Sequence, residues 1–272
     1  MRTFHIGGVH PPENKLTESA KIINTELPRE VTLTFGQHIG APARCLVKKG
    51  DYVDRGSVIA EASGFVSANV HTPISGTVTK VDQIKMPNGM PSPSVTIAAL
   101  DDDHEKDLRT ISDLTPLRGD DEIEALDPKA IIDIVDKAGI VGLGGATFPT
   151  KVKLSPPPGM KADLVIINAV ECEPYLTNDH ALMLEEPDAI LAGTRLLMKA
   201  AGVERAIIGV EANKQNAIDL LRRRIAELGI NGISVTELTV KYPQGGEKQL
   251  IEAITGKKVP SGSLPIAPGA IV

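Results

Sequence analysis

The 272-residue chain has only two cysteines, Cys45 and Cys172. That number excludes a disulfide scaffold, and it excludes an iron–sulfur cluster held within one chain, which takes about four thiolates. No uninterrupted apolar run approaches the roughly 18 to 20 residues of a membrane span. The opening Met-Arg-Thr-Phe-His-Ile-Gly-Gly also lacks the apolar core of a secretion signal, so a cytoplasmic location is expected. Basic clusters are scarce too. With a net charge of −6, nucleic acid is a poor partner, because phosphate binding draws most of its affinity from Lys and Arg. The one tight basic run, Arg222-Arg223-Arg224, lies in a helix pattern and is expected on a solvated face. What remains is 42% hydrophobic and 24% charged, the composition of a globular protein with room for one large domain or two ordinary ones.

Residues 140–154 read Ile-Val-Gly-Leu-Gly-Gly-Ala-Thr-Phe-Pro-Thr-Lys-Val-Lys-Leu. Gly142, Gly144 and Gly145 follow a helix pattern that runs from Asp127-Pro128 through an apolar stripe of Ile131, Ile134, Val135 and Ala138 to a stop at Gly139. Such a loop is either a tight structural turn or a place where main-chain amides meet an anionic ligand, with Lys151 and Lys153 nearby to add charge. A second stretch favours the ligand. Leu164-Val-Ile-Ile-Asn168 reads as a buried strand, and Glu171 and Glu173 follow directly in Ala169-Val-Glu-Cys-Glu-Pro-Tyr175. Open α/β sheets place ligands at the carboxyl ends of their strands. Two glutamates suit the hydroxyls and ring nitrogens of a nucleotide-like group better than its phosphate. A third stretch, Tyr242-Pro-Gln-Gly-Gly-Glu-Lys-Gln-Leu250, repeats the logic: a strand ends, paired glycines follow, a helix begins. The two glycine loops are expected to converge on one cleft. Asp179 and His180 lie on its rim, and a catalytic histidine there needs a partner that spacing does not reveal.

These motifs, with Gly7-Gly-Val-His-Pro-Pro-Glu13 near the start, resemble the C subunit of the Rnf electron-transport complex, a family itself similar to the flavin-bearing, NADH-oxidising subunit of respiratory complex I. The resemblance spans nearly the whole chain. It implies an FMN cofactor surrounded by Gly142, Gly144, Gly145, Lys153, Asn168, Glu171, Gly245, Gly246 and Glu247, with Phe148 and Glu173 on the nicotinamide side for NAD(H). It implies no catalytic side chain and no metal ligand, since flavin does the hydride chemistry. On this basis Gly144→Val and Lys153→Ala are expected to weaken FMN binding. The family's two Cys-rich cluster motifs are absent here, so the chain is expected to be an amino-terminal piece of a longer subunit, with iron–sulfur clusters only in a missing carboxyl-terminal part. Other subunits of the Rnf membrane complex are the implied partners, at the cytoplasmic side of the bacterial inner membrane. The alternative is a non-catalytic docking or scaffold module of the same complex. Three departures from the complex I pattern stand out: Thr147 where it has glycine, Val170 where it has aspartate, and Lys248 where it has a second glutamate.

The expected fold is α/β, a mostly parallel sheet with flanking helices, preceded by a small all-β domain. Residues 1–30 read as an arm, 31–100 as the β domain, 101–126 as an acidic linker in which His104 is solvated, and 127–272 as the FMN and NADH domain. Cys45-Leu-Val-Lys-Lys-Gly-Asp-Tyr-Val-Asp-Arg-Gly56 and Val70-His-Thr-Pro-Ile-Ser-Gly-Thr-Val78 resemble the barrel-sandwich hybrid of lipoyl and biotinyl domains. Carriers attach their group to a hairpin lysine; the carrier spacing lands on Phe65, and no lysine lies between Asp51 and Ile74. A swinging-arm role is thereby excluded. Beyond the strand at 164–168, a helix with Ile190, Thr194, Leu197, Met198 and Ala201 on one face is expected. Strand 205–210, helix 213–228 and strand 233–239 follow it.

Overall fold

The computed structural model describes residues 1–112, 120–143 and 145–272. The chain divides into two compact units that interleave along the sequence. One holds Asn24–Pro116 and Lys129–Lys153; the other holds Met1–Ile23, Leu117–Pro128 and Leu154–Val272.

The first unit is built from short β-branched runs broken by turn residues. Its strands are β1 (Glu30–Thr34), β2 (Arg44–Cys45), β3 (Tyr52–Val53), β4 (Val58–Glu61), β5 (Val70–His71), β6 (Gly76–Lys85) and β7 (Pro91–Ala98). They form two antiparallel sheets, ordered β1-β7-β6-β3 and β2-β4-β5. Ile59, Ile74, Val78, Val95 and Ile97 are fully buried in their shared core. Phe65 stands exposed in the connection between β4 and β5, where a carrier would show its lysine. The described residues of the acidic stretch 101–126 include two helices, α1 (Asp101–Ser112) and α2 (Asp120–Ala125). Helix α1 is anchored to the sandwich by a buried carboxylate: Asp107 accepts from the Ser75 amide at 2.5 Å and from the Ser75 hydroxyl at 2.6 Å. Tyr52 adds a hydrogen bond to Asp103, and Lys106 an ion pair to Asp54. His104 is half-buried on this helix rather than solvated, and its Nδ1 is buried without a partner among the described residues. Helix α3 (Pro128–Lys137) buries Ile131 and Val135, whereas Ile134 from the expected stripe is 52% exposed. A single turn, α4 (Thr150–Lys153), completes the unit.

The second unit is the α/β part. After α2 it holds, in chain order, β8 (Leu164–Ala169), α5 (Asn178–Glu185), α6 (Pro187–Ala201), β9 (Ala206–Glu211), α7 (Gln215–Glu227), β10 (Ile233–Leu238), α8 (Glu247–Thr255) and β11 (Ala270–Ile271). Neighbours in the order β10-β9-β8-β11 all pair in parallel. Successive residues of β8 point to opposite faces. Val165 packs into the cluster with Leu191, Ile208 and Leu221, whereas Leu164 and Ile166 pack into the cluster with Leu250, Ile251 and Ile254. β8 and β9 have both faces covered and read as nearly continuous apolar runs. Helix α6 buries Leu191 as well as the expected Thr194 and Met198. Gly202, left-handed at φ +66°, closes it.

Candidate functional site

In the α/β unit the carboxyl ends of β8, β9 and β10 gather the candidate residues. β8 runs out at the exposed Asn168 and buried Ala169. The chain cannot continue straight, because Val170 turns inward and is fully buried. Glu171 then takes φ +55° and Tyr175 φ +70°. Left-handed backbone is unfavourable for residues with a Cβ, by about 1–2 kcal/mol each, and persists only where surrounding contacts hold it.

The paired glycines before α8 meet this strand end directly. Asn168 Nδ2 donates to the Gly245 carbonyl at 2.9 Å, and the Gly245 amide donates to Cys172 Sγ at 3.3 Å. A Cβ on Gly245 would come within 3.3 Å of Cys172 Sγ and 3.6 Å of Asn168 Oδ1, so only glycine lets the two segments lie this close without one giving way. Gly246 is the cap of α8, and Gln249 folds back over it. As a glycine, Gly246 offers no side-chain cap of its own to this nine-residue helix, whose positive dipole end lies just after the Gly245 junction with the end of β8.

Glu171 is 6% exposed. One of its oxygens accepts the Asp179 amide at 2.8 Å; the other, Oε2, is buried with no partner among the described residues. Burial raises the Asp179 carboxyl above its ordinary range, and the nearby Glu171 charge adds to that. Burial likewise pushes up the Cys172 thiol, opposed by the Gly245 amide. Glu173 is exposed, within reach of the Cys172 thiol at 3.8 Å.

Two lysines hold this loop from below. Lys214, 2% exposed, donates to the Val170 carbonyl and to Asn213 Oδ1, each at 3.0 Å, and lies 3.7 Å from Glu211, 1% exposed. Lys15, from the amino-terminal arm, donates to the carbonyls of Glu171, Glu173 and Leu176 at 2.9, 2.9 and 2.7 Å. The arm itself follows the end of β10. Val9 exchanges two backbone hydrogen bonds with Tyr242, and the buried Phe4 carries the Lys241 ammonium 3.9 Å from its ring centroid. A cleft of about 210 Å³ opens between arm and strand ends, lined by residues that include His10, Glu13, Cys172, Glu211 and Lys241.

Of the residues expected at the site, Asn168, Glu171, Glu173, Gly245, Gly246 and Glu247 belong to this unit. Gly142, Gly145, Phe148 and Lys153 lie on the other unit, and Gly144 lies outside the described residues. Within that loop the Gly142 amide donates to the Phe148 carbonyl at 2.9 Å, and Gly145 is left-handed at φ +111° with open space around it. His180 is buried, 2.8 Å from Asn216 Oδ1 across α5 and α7, as a packed structural residue would be. Sequence patterns do not single out Lys15, Glu211 and Lys214; their charge reads as surface, and only the proximity of Lys15 to Gly7-Gly-Val-His-Pro-Pro-Glu13 offers a signal.

A flavin nucleotide presents hydroxyls and a ring N–H to be accepted and a phosphate to be bound by amides. The orphaned Glu171 oxygen lacks only a donor, and the positive dipole end of α8 beside the Gly245 junction suits an anion. The residues present therefore fit such a group. Parallel strand ends, a glycine-paired helix start and a buried acceptor make this an α/β domain with its candidate site where open α/β sheets place their ligands.

A family model described as the Nuo51 FMN-binding domain matches residues 135–272, and one described as the RnfC barrel sandwich hybrid domain matches residues 3–103. The chain belongs to the family of the Nuo51 FMN-binding domain, with an RnfC-type barrel sandwich ahead of it. It is 45% identical over 268 residues to the C subunit of the Na(+)-translocating ferredoxin:NAD(+) oxidoreductase complex of Acetobacterium woodii, covering 98% of this chain and 58% of that protein. It is 40% identical over 275 residues to the C subunit of the proton-translocating counterpart of Clostridium ljungdahlii, covering 100% of this chain and 57% of that one. Against the C subunit of the ion-translocating oxidoreductase complex of Rhodobacter capsulatus the identity is 38%, over 100% of this chain and 51% of the relative. The chain thus spans little more than half the length of these curated relatives. A solved NAD+-reducing NiFe-hydrogenase aligns at 30% identity with a TM-score of 0.47, over 57% of this chain and 29% of that one.

Proposed function

We propose that this chain is the FMN- and NAD(H)-binding part of the C subunit of an Rnf-type ferredoxin:NAD oxidoreductase, passing electrons between NAD(H) and an iron–sulfur chain. The observation that carries the reading is the junction of Gly245 with Asn168 and Cys172 beside the orphaned Glu171 oxygen, inside the stretch matched by the FMN-domain model. Flavin, when bound, supplies two-electron exchange with NAD(H) and one-electron exchange with clusters. The chain's own part is positional. Asn168 and Gly245 lock strand end to helix start, the positive dipole end of α8 favours an anion there, and Glu171 Oε2 accepts from a hydroxyl or ring N–H. Glu247 and Gly246 belong to the same set, and Glu173 is assigned to the nicotinamide. The assignment of Gly142, Gly144, Gly145, Phe148 and Lys153 to this cofactor rests on the resemblance alone.

In this reading iron–sulfur clusters belong to a further part of the protein. The partners are other subunits of a membrane complex, which the chain meets from the cytoplasmic side as a peripheral component. No helix among the described residues is long and apolar enough to cross a membrane. The test is reconstitution. Purified protein mixed with FMN is expected to retain a yellow flavin absorbance band through gel filtration, and NADH is expected to bleach it. Protein that stays colourless overturns the flavin reading and favours a docking module.

A further inference from the structure

We infer that Lys15 is a positioning residue: its ammonium sets the conformation of the acidic loop after β8 and so fixes where Glu171 and Glu173 present their carboxylates. The inference rests on the flavin reading for its functional meaning, and on geometry alone for its physical basis.

The loop at 170–177 curls so tightly that the carbonyls of Glu171, Glu173 and Leu176 turn toward one point. Three converging carbonyl dipoles repel one another unless a donor or cation sits among them. Lys15 supplies both, since an ammonium has three N–H groups and each finds one carbonyl at 2.7–2.9 Å. Lys214 takes the preceding carbonyl, that of Val170, so the run of main chain from the end of β8 is held by two ammonium groups. The cost being held is visible. Among the described residues four non-glycines have positive φ; Glu171 and Tyr175 are two of them, and Asn14, beside Lys15, is a third.

Lys15 is itself held in register from both sides. The Glu13 carbonyl accepts the Tyr175 amide at 3.0 Å, Glu13 Oε2 accepts from Asn213 at 2.7 Å, and the hydroxyls of Thr17 and Thr177 lie 2.6 Å apart. A segment 156 residues distant in sequence is thereby built into the loop that bears the site's acids. The direction of the Glu171 side chain, with its unpartnered oxygen, follows from a backbone twist at φ +55° that the loop alone would not keep.

The experiment compares wild type, Lys15→Met and Lys15→Arg in two measurements. In the first, FMN affinity is read by quenching of flavin fluorescence; in the second, amide hydrogen exchange is followed in the ligand-free proteins. Lys15→Met, which keeps the length and loses charge and donors, is expected to weaken FMN at least about tenfold. It is also expected to speed exchange of the Tyr175 and Asp179 amides, which the Glu13 carbonyl and the Glu171 carboxylate accept, by about the same factor, with the sheet unaffected. Lys15→Arg, which keeps the charge and several donors, is expected to recover FMN affinity to within about threefold of wild type. Wild-type behaviour of Lys15→Met in either measurement overturns the inference, as does a Lys15→Arg variant as weak as Lys15→Met. Should Lys15→Met not fold, Lys15→Gln replaces it: an intermediate loss supports the role, and unchanged binding and exchange overturn it. If wild type itself fails to bind FMN, the flavin reading falls, and exchange alone decides the role of Lys15.

Discussion

Thr147 occupies a backbone conformation made for another residue. It sits at φ +48° in the glycine-rich loop, at the position where the complex I pattern has glycine. A β-branched side chain there crowds the main chain, which costs about 1–2 kcal/mol relative to ordinary backbone. Its hydroxyl donates to the Ala146 carbonyl at 2.8 Å, an exposed contact that returns little. Thr147→Gly removes the crowding but frees the unfolded chain, which offsets about half of the gain. The net expectation is a stabilisation of about 0.5–1 kcal/mol in denaturant unfolding of the ligand-free protein. An unchanged or lower midpoint would mean that the loop relaxes around threonine at no cost, and that the departure from the family pattern is silent.

At the scale of elements, the end of β9 is the unusual feature, because it buries a carboxylate and an ammonium together. Glu211 accepts the Lys241 amide at 3.1 Å and so ties β9 to the connection after β10, while Lys214 reaches the loop after β8. Burial pushes the Glu211 carboxyl above its ordinary 4.5 and the Lys214 ammonium below its ordinary 10.5. For the raised carboxyl, the folded state holds its proton more tightly than the unfolded chain does. Its stabilising contribution is present below pH 4.5 and is lost as pH rises through the folded value. For the lowered ammonium, stability is gained as pH rises from its folded value toward 10.5. Lys214→Met strands a buried carboxylate and is expected to cost about 3 kcal/mol near neutral pH. Glu211→Gln keeps the acceptor for Lys241, and in the double variant it is expected to recover about 1 kcal/mol or more of that loss. Strict additivity in urea melts of the three variants would show that the two charges do not interact. Glu211→Gln should also flatten the fall in stability as pH leaves the acid range.

These elements also show what the sequence can tell. β8, β9 and α7 are legible because a nearly continuous apolar run or a 3.6-residue stripe has few other meanings. The last strand residue, Glu211, escapes such reading because a carboxylate at the end of an apolar run reads as solvent-facing. Lys214 escapes it for the same reason, and pairing with Glu211 is what makes its burial tolerable. Helix α1 is hidden by its acidic composition, and the anchor among its described side chains is a buried aspartate, Asp107. Ile134 fits the stripe of α3 yet faces out, as periodicity gives a face and not its cover. The site residues at 168–173 and 245–247 are readable as motifs, but no local pattern pairs Lys15 with carbonyls more than 150 positions away.

For the whole molecule, the question is where electrons can go once they arrive. Cys45 lies in the β-rich unit with its thiol 3.2 Å from the Val47 carbonyl, and Cys172 lies at the candidate flavin site. Each is alone. No group of three or more His, Cys, Asp or Glu side chains able to hold a metal ion occurs among the described residues. An iron–sulfur cluster takes about four thiolates, so this chain has no built-in one-electron exit. Two-electron exchange with NAD(H) needs only the cofactor and the residues that position it, and is expected to survive. The chain reconstituted with FMN should therefore be bleached by NADH and recolour slowly in air, while a ferredoxin-type acceptor should not be turned over efficiently. Anaerobic stopped-flow absorbance with and without that acceptor separates the two steps, and iron and sulfide assays on the same sample check the premise. Stoichiometric iron and sulfide, or rapid turnover of the acceptor, would show that the chain carries a redox route that its two cysteines cannot explain.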